Sequence, residues 1–181
     1  MSTKIILIAG KAQHGKDTVA KILKEELEKG GNKVLITHFA ALLKFICKEY
    51  FQWNGEKDEK GRQLLQYVGT DCIRKKRPHF WVDFVMELIS FFDKEWDYII
   101  IPDTRFKNEI SANFKGNLVR TVKVERLNFE SPLTPQQQLH PSETDLDDFN
   151  YFDFIIRAES GEENLRKEVV SEVLYDLIAS F

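Results

Sequence analysis

Two cysteines, Cys47 and Cys72, are all that the 181 residues contain. They are too few for a disulfide scaffold or a thiolate metal cage, and leave buried reduced thiols as the expectation. His38, His79 and His140 show no metal-ligand spacing. No apolar run approaches the ~18 residues of a membrane-spanning helix, and the N-terminus lacks a signal peptide's apolar core and cleavage site. A net charge of −3 exerts no global pull on nucleic acid or anionic membrane. The short basic run Arg74-Lys75-Lys76-Arg77 reads as a solvated face. These absences argue against nucleic acid and membrane as partners and point to the cytosol.

What is present suits one globular domain. A hydrophobic fraction of 43% and a charged fraction of 30% are ordinary, and a chain this long buries about 70% of its unfolded surface. Ile5-Ile6-Leu7-Ile8-Ala9 reads as a buried strand, followed by Gly10-Lys11-Ala12-Gln13-His14-Gly15-Lys16-Asp17-Thr18 and an amphipathic helix. Further strands are expected at 34–37, 98–101, 117–124 and 154–156. Helices are expected at 40–51, 62–72, 80–93 and 162–180. Short buried strands alternating with helices predict an α/β fold with a five-stranded parallel sheet covered on both faces. Residues 126–148, with three prolines and Gln136-Gln137-Gln138, break the rhythm. A long aperiodic stretch between two strands is a candidate lid, or else a plain surface excursion.

The segment from Gly10 to Thr18 is a phosphate-binding loop in the strand–loop–helix context that motif requires. Its glycines let backbone N–H groups turn inward at anionic oxygens, and the helix N-terminus adds a favourable field. Lys16 is placed to reach the β- and γ-phosphates of a nucleoside triphosphate. Asp17 stands where a hydroxyl is usual. It binds magnesium directly or through water, orients Thr18, or simply caps the helix. His14 touches a phosphate or fills a variable position.

Ligands of open parallel sheets bind beyond the carboxyl ends of the strands, where Asp103-Thr104-Arg105 also falls. Asp103 is a candidate to hold magnesium through water, and Arg105 to neutralise a transferring phosphoryl group. The plain alternative is a helix cap and a surface cation. Arg62, Gln66 and Gly69 share a helix face by their spacing. Arg62 can fork onto a phosphate, Gln66 can read a base edge, and Gly69 permits close backbone approach. Thr70 and Asp71 follow, with Arg74 one turn beyond; a solvated face is the alternative. Lys44, inside an apolar helix, either snorkels to the surface or points at an acceptor phosphate.

Taken in order, the phosphate loop with its Gly-Lys-Asp-Thr ending, Phe39-Ala40-Ala41-Leu42-Leu43-Lys44, the Arg62–Arg74 pattern, Trp81-Val82, Asp103 to Glu109, His140-x-Ser142-Glu143 with Leu146-Asp147, and Phe152-Asp153-Phe154-Ile155-Ile156 run nearly end to end. In these segments the chain resembles the phage and bacterial deoxynucleoside monophosphate kinases. The resemblance implies a P-loop NTPase of nucleoside-monophosphate-kinase type, one domain over 1–181, with an acceptor-binding insertion at about 39–94 and a lid at about 126–148. It implies ATP and Mg²⁺ as cofactors, a nucleoside monophosphate as substrate, and a cytoplasmic enzyme (in the host cytoplasm for a phage protein). Phe39, Lys44, Arg62, Gln66, Gly69, Thr70, Asp71, Arg74, Trp81 and Arg105 would form the acceptor side. Lys16, Arg62, Arg74 and Arg105 would carry catalysis, with Asp17 and Asp103 on the metal side. Residues 157–161 would border the adenine. The family tends to place Asn where this chain has Arg157, and the lid holds no Arg or Lys between Arg126 and Asp148, so its charge compensation falls to Arg126 or Arg105.

Two rivals share the loop. A phosphomevalonate kinase of the animal type also resembles this sequence, with a non-nucleotide phosphate as acceptor; Gln66 and Asp71 favour a nucleotide. A GTPase-like regulatory module would need an Asn-Lys-x-Asp sequence, which the chain lacks. Oligomeric state stays open between monomer and homodimer, because the apolar face of the last helix serves equally as core or interface.

Overall fold

The computed structural model describes residues 2–92 and 94–181. Strands β1 (Lys4–Ala9), β2 (Val34–Ile36), β3 (Tyr98–Thr104), β4 (Leu118–Arg126) and β5 (Phe154–Ala158) form one sheet in the order β2-β3-β1-β4-β5. Every pairing is parallel. The helices are α1 (Lys16–Lys29), α2 (Ala41–Phe51), α3 (Glu59–Gln66), α4 (Phe80–Phe91), α5 (Lys107–Ile110), α6 (Pro135–Gln138), α7 (Pro141–Thr144), α8 (Glu162–Glu168) and α9 (Leu174–Ala179). Two π-helical stretches extend them: Tyr67–Arg74 continues α3, and Val169–Val173 joins α8 to α9. No described helix is long and apolar enough to cross a membrane.

The strand period of two explains the two-faced core. From β1, Ile6 and Ile8 pack with Val19, Leu23 and Leu27 of α1 and Leu177 of α9. Ile5 and Leu7 point the other way, against Phe39, Val82 and Val85 of α4, and Ile99 and Ile101 of β3. Each such isoleucine, buried fully, stabilises by about 1.5–3 kcal/mol. A third cluster, Leu43, Cys47, Val68 and Trp81, ties α2, the π-helical stretch and α4 together beside the sheet. Both cysteines are free thiols.

Several boundaries move from their sequence-based positions. β3 runs on through Pro102 to Thr104, because Pro102 has no amide to give and the pairing to β1 shifts by one residue between Leu7 and Ala9. β4 and β5 continue to Arg126 and Ala158. The helix predicted from Arg62 begins at Glu59, capped by Asp58, whose carboxylate accepts from the Gly61 N–H at 2.7 Å. The helix predicted over 80–93 is α4, and its last position, Asp93, lies outside the described residues. Residues 126–148 are not structureless. They hold α6, capped by Thr134 in a reciprocal box with Gln137, and α7, capped by the His140 ring.

From β1 the chain leaves toward β2 on one side, and from β4 toward β5 on the other. The crevice this opens lies over the carboxyl ends of β1 and β4, where the phosphate loop begins at Gly10. Its φ of 147° suits only glycine, and a Cβ there would sit 2.5 Å from the Val124 carbonyl oxygen of β4. Gly10→Ala is therefore expected to lower unfolding free energy by about 1–3 kcal/mol. Urea denaturation measures this, and an unchanged midpoint would mean that the loop and β4 separate freely.

Candidate active site

The chain turns from β1 into α1 with Gly15 at the helix N-cap, φ 93°, bringing Lys16 beneath the loop. Lys16 is only 8% exposed, and its Nζ donates to the Lys11 carbonyl at 2.7 Å. Burial, assisted by the nearby Arg105 guanidinium, brings the Lys16 ammonium down to about 7; Glu143, Asp17 and Asp103 oppose the shift. Asp17, on the exposed first turn, lies 3.4 Å from the His38 ring, which holds its carboxyl down at about 2. His14 sits with Nδ1 3.3 Å from both the Val124 carbonyl and the Arg126 N–H. Arg126 donates to the Gln13 carbonyl and to Ser160 Oγ, and lies 4.2 Å over the Phe129 ring. Gln13, His14 and Arg126 thus meet at the end of β4, while Lys16 lies under Lys11 and Asp17 turns to His38.

Two cavities open at the carboxyl edge of the sheet. One, about 380 Å³, covers Gly10, Lys11 and His14 and reaches Arg126. The other, about 200 Å³, lies over α2 and α3. Arg105, Ser142 and Glu143 line both, so they form the partition between them. Arg105 Nη1 donates to Glu143 Oε1 at 2.5 Å and to the Ser142 carbonyl at 3.1 Å. The other oxygen of Glu143 accepts the Ala12 N–H of the phosphate loop at 2.9 Å. Lys11 Nζ donates to the Glu143 carbonyl at 2.5 Å and pairs with Asp147. Of the acidic stretch 143–148, Glu143 and Asp147 close on the loop, while Asp145 and Asp148 hold Lys107. The Glu143 carboxylate meets an amide and a guanidinium of the kind that suit a phosphate oxygen.

The second cavity gathers most of the residues expected on the acceptor side: Phe39, Lys44, Arg62, Gln66, Gly69, Thr70, Arg74, Trp81 and Arg105. Lys44 and Arg62 make no ion pair among the described residues. Four expectations change. Asp71 does not line the cavity; it pairs with Lys75 one turn on, at 2.7 Å, because the helix widens to the π form from Tyr67. Gly69 borders the cavity, but the close approach it allows is by Leu43, whose Cδ2 would lie 2.6 Å from an added Cβ. Its carbonyl takes the Trp81 indole N–H at 2.9 Å, so Trp81 offers its ring and no polar atom. Arg157 lies within β5, not in the loop after it, and donates to Glu125 at 2.8 Å on the exposed sheet edge. It lines neither cavity.

Asp103 acquires a second task. Its two oxygens accept the Phe39 and Ala40 N–H groups at 2.9 and 3.0 Å, fixing the start of α2 to the end of β3. Among the described residues no three His, Cys, Asp or Glu side chains cluster as a protein-built metal cage. Three contributors escaped sequence reasoning. Lys57 stands at the cavity rim, its ammonium lowered by burial and by Lys44, and a lone lysine in a polar loop carries no signal. Glu143 and Glu109 were visible only as members of the Ser142-Glu143 and Asp103–Glu109 segments, without a role.

No protein-family model matches the chain, and no curated protein matches it in sequence. Solved structures do match in shape. The thymidylate kinase of Candida albicans aligns over 99% of this chain and 92% of its own, with TM-score 0.52 and 13% identity. A sugar kinase from Janibacter sp. covers 99% and 98%, with TM-score 0.52 and 11% identity. The shikimate kinase of Aquifex aeolicus covers 97% and 99%, with TM-score 0.50 and 16% identity. At such identities the similarity concerns the fold. The chain has the five-stranded α/β architecture of the P-loop kinases.

Because Glu143 already occupies the Ala12 amide, Glu143→Gln is expected to tighten binding of ATP with Mg²⁺ by roughly threefold to tenfold, or ~0.7–1.4 kcal/mol. Calorimetric titration reads this directly, and weaker binding would make Glu143 part of the nucleotide's grip. The same titration tests Lys16. A lysine brought to about 7 is mostly neutral in the free protein at about pH 8, and polyphosphate charge restores its proton. Binding at about pH 8 should then take up between roughly half and one proton, read from buffers of different ionisation enthalpy. Zero uptake would mean that Lys16 is charged throughout.

Proposed function

We propose that the protein transfers the γ-phosphoryl group of ATP to a nucleoside monophosphate. The observation that carries this reading is the pair of cavities sharing one wall. A loop suited to a polyphosphate lies on one side of Arg105 and Glu143, and a cationic pocket with aromatic walls lies on the other. Donor and acceptor phosphates would meet where those residues stand. The P-loop kinase fold supports a phosphotransferase, and the deoxynucleoside monophosphate kinase resemblance supports the acceptor class.

In the proposed reaction the loop from Gly10 to Thr18 holds the triphosphate, with Lys16 at the β- and γ-phosphates. Arg126 stands on the nucleoside side of that loop. On the other side Lys44, Lys57 and Arg62 engage the acceptor phosphate. Phe39, Trp81 and Phe106 supply apolar walls for a base, while Gln66 and Thr70 offer hydrogen bonds to its edge. An anionic oxygen of the monophosphate attacks the γ-phosphorus. The new P–O bond forms as the bond to the β-phosphate oxygen breaks, and that oxygen leaves as part of ADP. The nucleophile is already charged, so no side chain needs to take a proton. Catalysis is positioning and charge stabilisation by Lys16 and Arg105, with Arg62 and Arg74 on the acceptor side.

Magnesium fits the acids present. Mg²⁺ takes one or two carboxylates and completes its octahedron with phosphate oxygens and water. Asp17, ionised at the mouth of the loop, and Asp103, whose oxygens keep lone pairs beyond their two amide bonds, would hold it. When bound it neutralises charge between the β- and γ-phosphates.

A coupled assay for ADP release with ribo- and deoxynucleoside monophosphates, and with phosphomevalonate, tests the reading. Turnover should require a nucleoside monophosphate. Arg62→Ala should raise the acceptor KM by roughly tenfold to a hundredfold, with the ATP KM within about twofold. Turnover with phosphomevalonate alone would replace the acceptor. Tight ATP binding with no acceptor-dependent turnover would make the chain a nucleotide-binding regulatory module.

A further inference from the structure

Glu109 is the acid among the described residues that is buried outright, at 1% exposure, and the reaction as derived gives it no task. It sits in α5, the short helix directly after β3. A carboxylate taken out of water is stable only when its oxygens are fully partnered. Here the two oxygens serve different parts of the fold. Oε1 accepts from Arg74 Nη2 at 2.6 Å, reaching across to the end of the π-helical stretch. Oε2 accepts the backbone N–H groups of Arg105 at 2.6 Å and Phe106 at 3.0 Å, closing the turn that follows β3.

The same turn completes the hold on Arg74. Its Nη1 donates to Asn108 Oδ1 at 3.0 Å, and its guanidinium lies 3.7 Å over the Phe106 ring. Stacking, the single bond to Glu109 and the Nη1 bonds to Asn108 and the Pro78 carbonyl leave the Arg74 side chain one orientation, with Nε and one Nη2 hydrogen unused. Arg74, Arg105 and Phe106 all line the acceptor-side cavity. Arg105 in turn carries the partition with Glu143. One buried carboxylate therefore fixes both the cation at the back of that cavity and the backbone of the cation that divides it from the phosphate loop.

We propose that Glu109 is a positioning residue of the acceptor side, which locks the guanidinium of Arg74 and the Arg105–Phe106 turn into one rigid unit facing the acceptor. The proposal rests on the reading of this cavity as the acceptor site. It differs from a merely structural role in a checkable way: Glu109→Gln keeps one oxygen for the Arg105 and Phe106 amides but sets an amide N–H₂ against the Arg74 guanidinium, so what this change costs runs through Arg74.

The test is a double-mutant cycle in the coupled assay, with Glu109→Gln, Arg74→Ala and the double variant. Glu109→Asp stands by as a second variant, because it keeps the charge while withdrawing it by one methylene. Glu109→Gln should lower the acceptor's kcat/KM by roughly tenfold to a hundredfold, as misplacement of a positioned group does, with ATP affinity held within about twofold. In the Arg74→Ala background the same change should cost less than about threefold. Equal losses in both backgrounds, or an ATP affinity that falls in step, would overturn the proposal. A second readout needs no turnover: arginine Nη–H NMR signals of the free protein should contain one resolved, slowly exchanging Arg74 set, from the groups bonded to Glu109 and Asn108, that Glu109→Gln or Glu109→Asp broadens. Persistence of that signal would overturn the positioning role. Absence of turnover with every monophosphate in the unsubstituted protein, with the Arg74 signal still dependent on Glu109, would instead remove the acceptor reading, and the acceptor-side role proposed for Glu109 with it.

Discussion

The Ala12 amide, the Lys11 ammonium and the Arg105 guanidinium converge above a lysine that is 8% exposed, a concentration of donors with little solvent to screen it. Such a site requires an anion, and in this structure the chain supplies its own. Glu143 reaches the Ala12 amide from a segment 131 residues away, and Arg105 binds its second oxygen. Lys11 holds the Glu143 carbonyl and Asp147. These contacts join Lys107, which holds Asp145 and Asp148, and Gln137, which reaches the Glu59 carbonyl, in fixing residues 126–148 over the crevice. Under the proposed function, a polyphosphate would compete with Glu143 for the Ala12 amide, which would couple loop occupancy to the position of residues 126–148.

The central architecture was legible because it depends on local pattern. Ile5 to Ala9 and Tyr98 to Ile101 are continuous apolar runs that only a covered parallel sheet accommodates. Gly10 and Gly15 mark the turns on either side of the loop. The misplaced boundaries share a cause: pairing partners, not propensity, decide where a strand stops. Pro102 and Asp103 look like a strand end, yet Thr104 still pairs with Ala9 through a shifted register. Likewise α6 and α7 are too short for a hydrophobic period, and depend on Thr134 and His140 capping their first turns.

The site divides the same way. Lys16, Arg62 and Gln66 were readable as candidates because motif spacing or helix periodicity sets their direction, whereas spacing left Lys44 open between the surface and the cavity it lines. Asp71 was not readable, since the π-helical stretch from Tyr67 keeps Gly69, Thr70 and Arg74 on the cavity but leaves Asp71 paired with Lys75. Arg157 was assigned to a loop that begins two residues later. Glu109 and Glu143 were illegible for a deeper reason. A carboxylate's partner is fixed by tertiary contact, and both acids find theirs on other elements: Arg74 lies 35 positions from Glu109, and Ala12 lies 131 from Glu143. An acid beside a lid reads as solvated until the opposite wall is known.

The distribution of charge around the second cavity narrows what it suits. Its acids are committed: Asp103 to the Phe39 and Ala40 amides, Glu109 to Arg74, Glu143 to Arg105. Lys44, Lys57 and Arg62 form no ion pair among the described residues. Burial lowers the Lys57 ammonium, and repulsion from Lys44 and Arg62 lowers it further. An acceptor presenting only a hydroxyl would leave the repulsion in place. A phosphate monoester, carrying nearly two negative charges near neutral pH, turns it into attraction at the point where Arg105 meets the loop. Charge balance thus favours an already phosphorylated acceptor on grounds independent of any sequence resemblance.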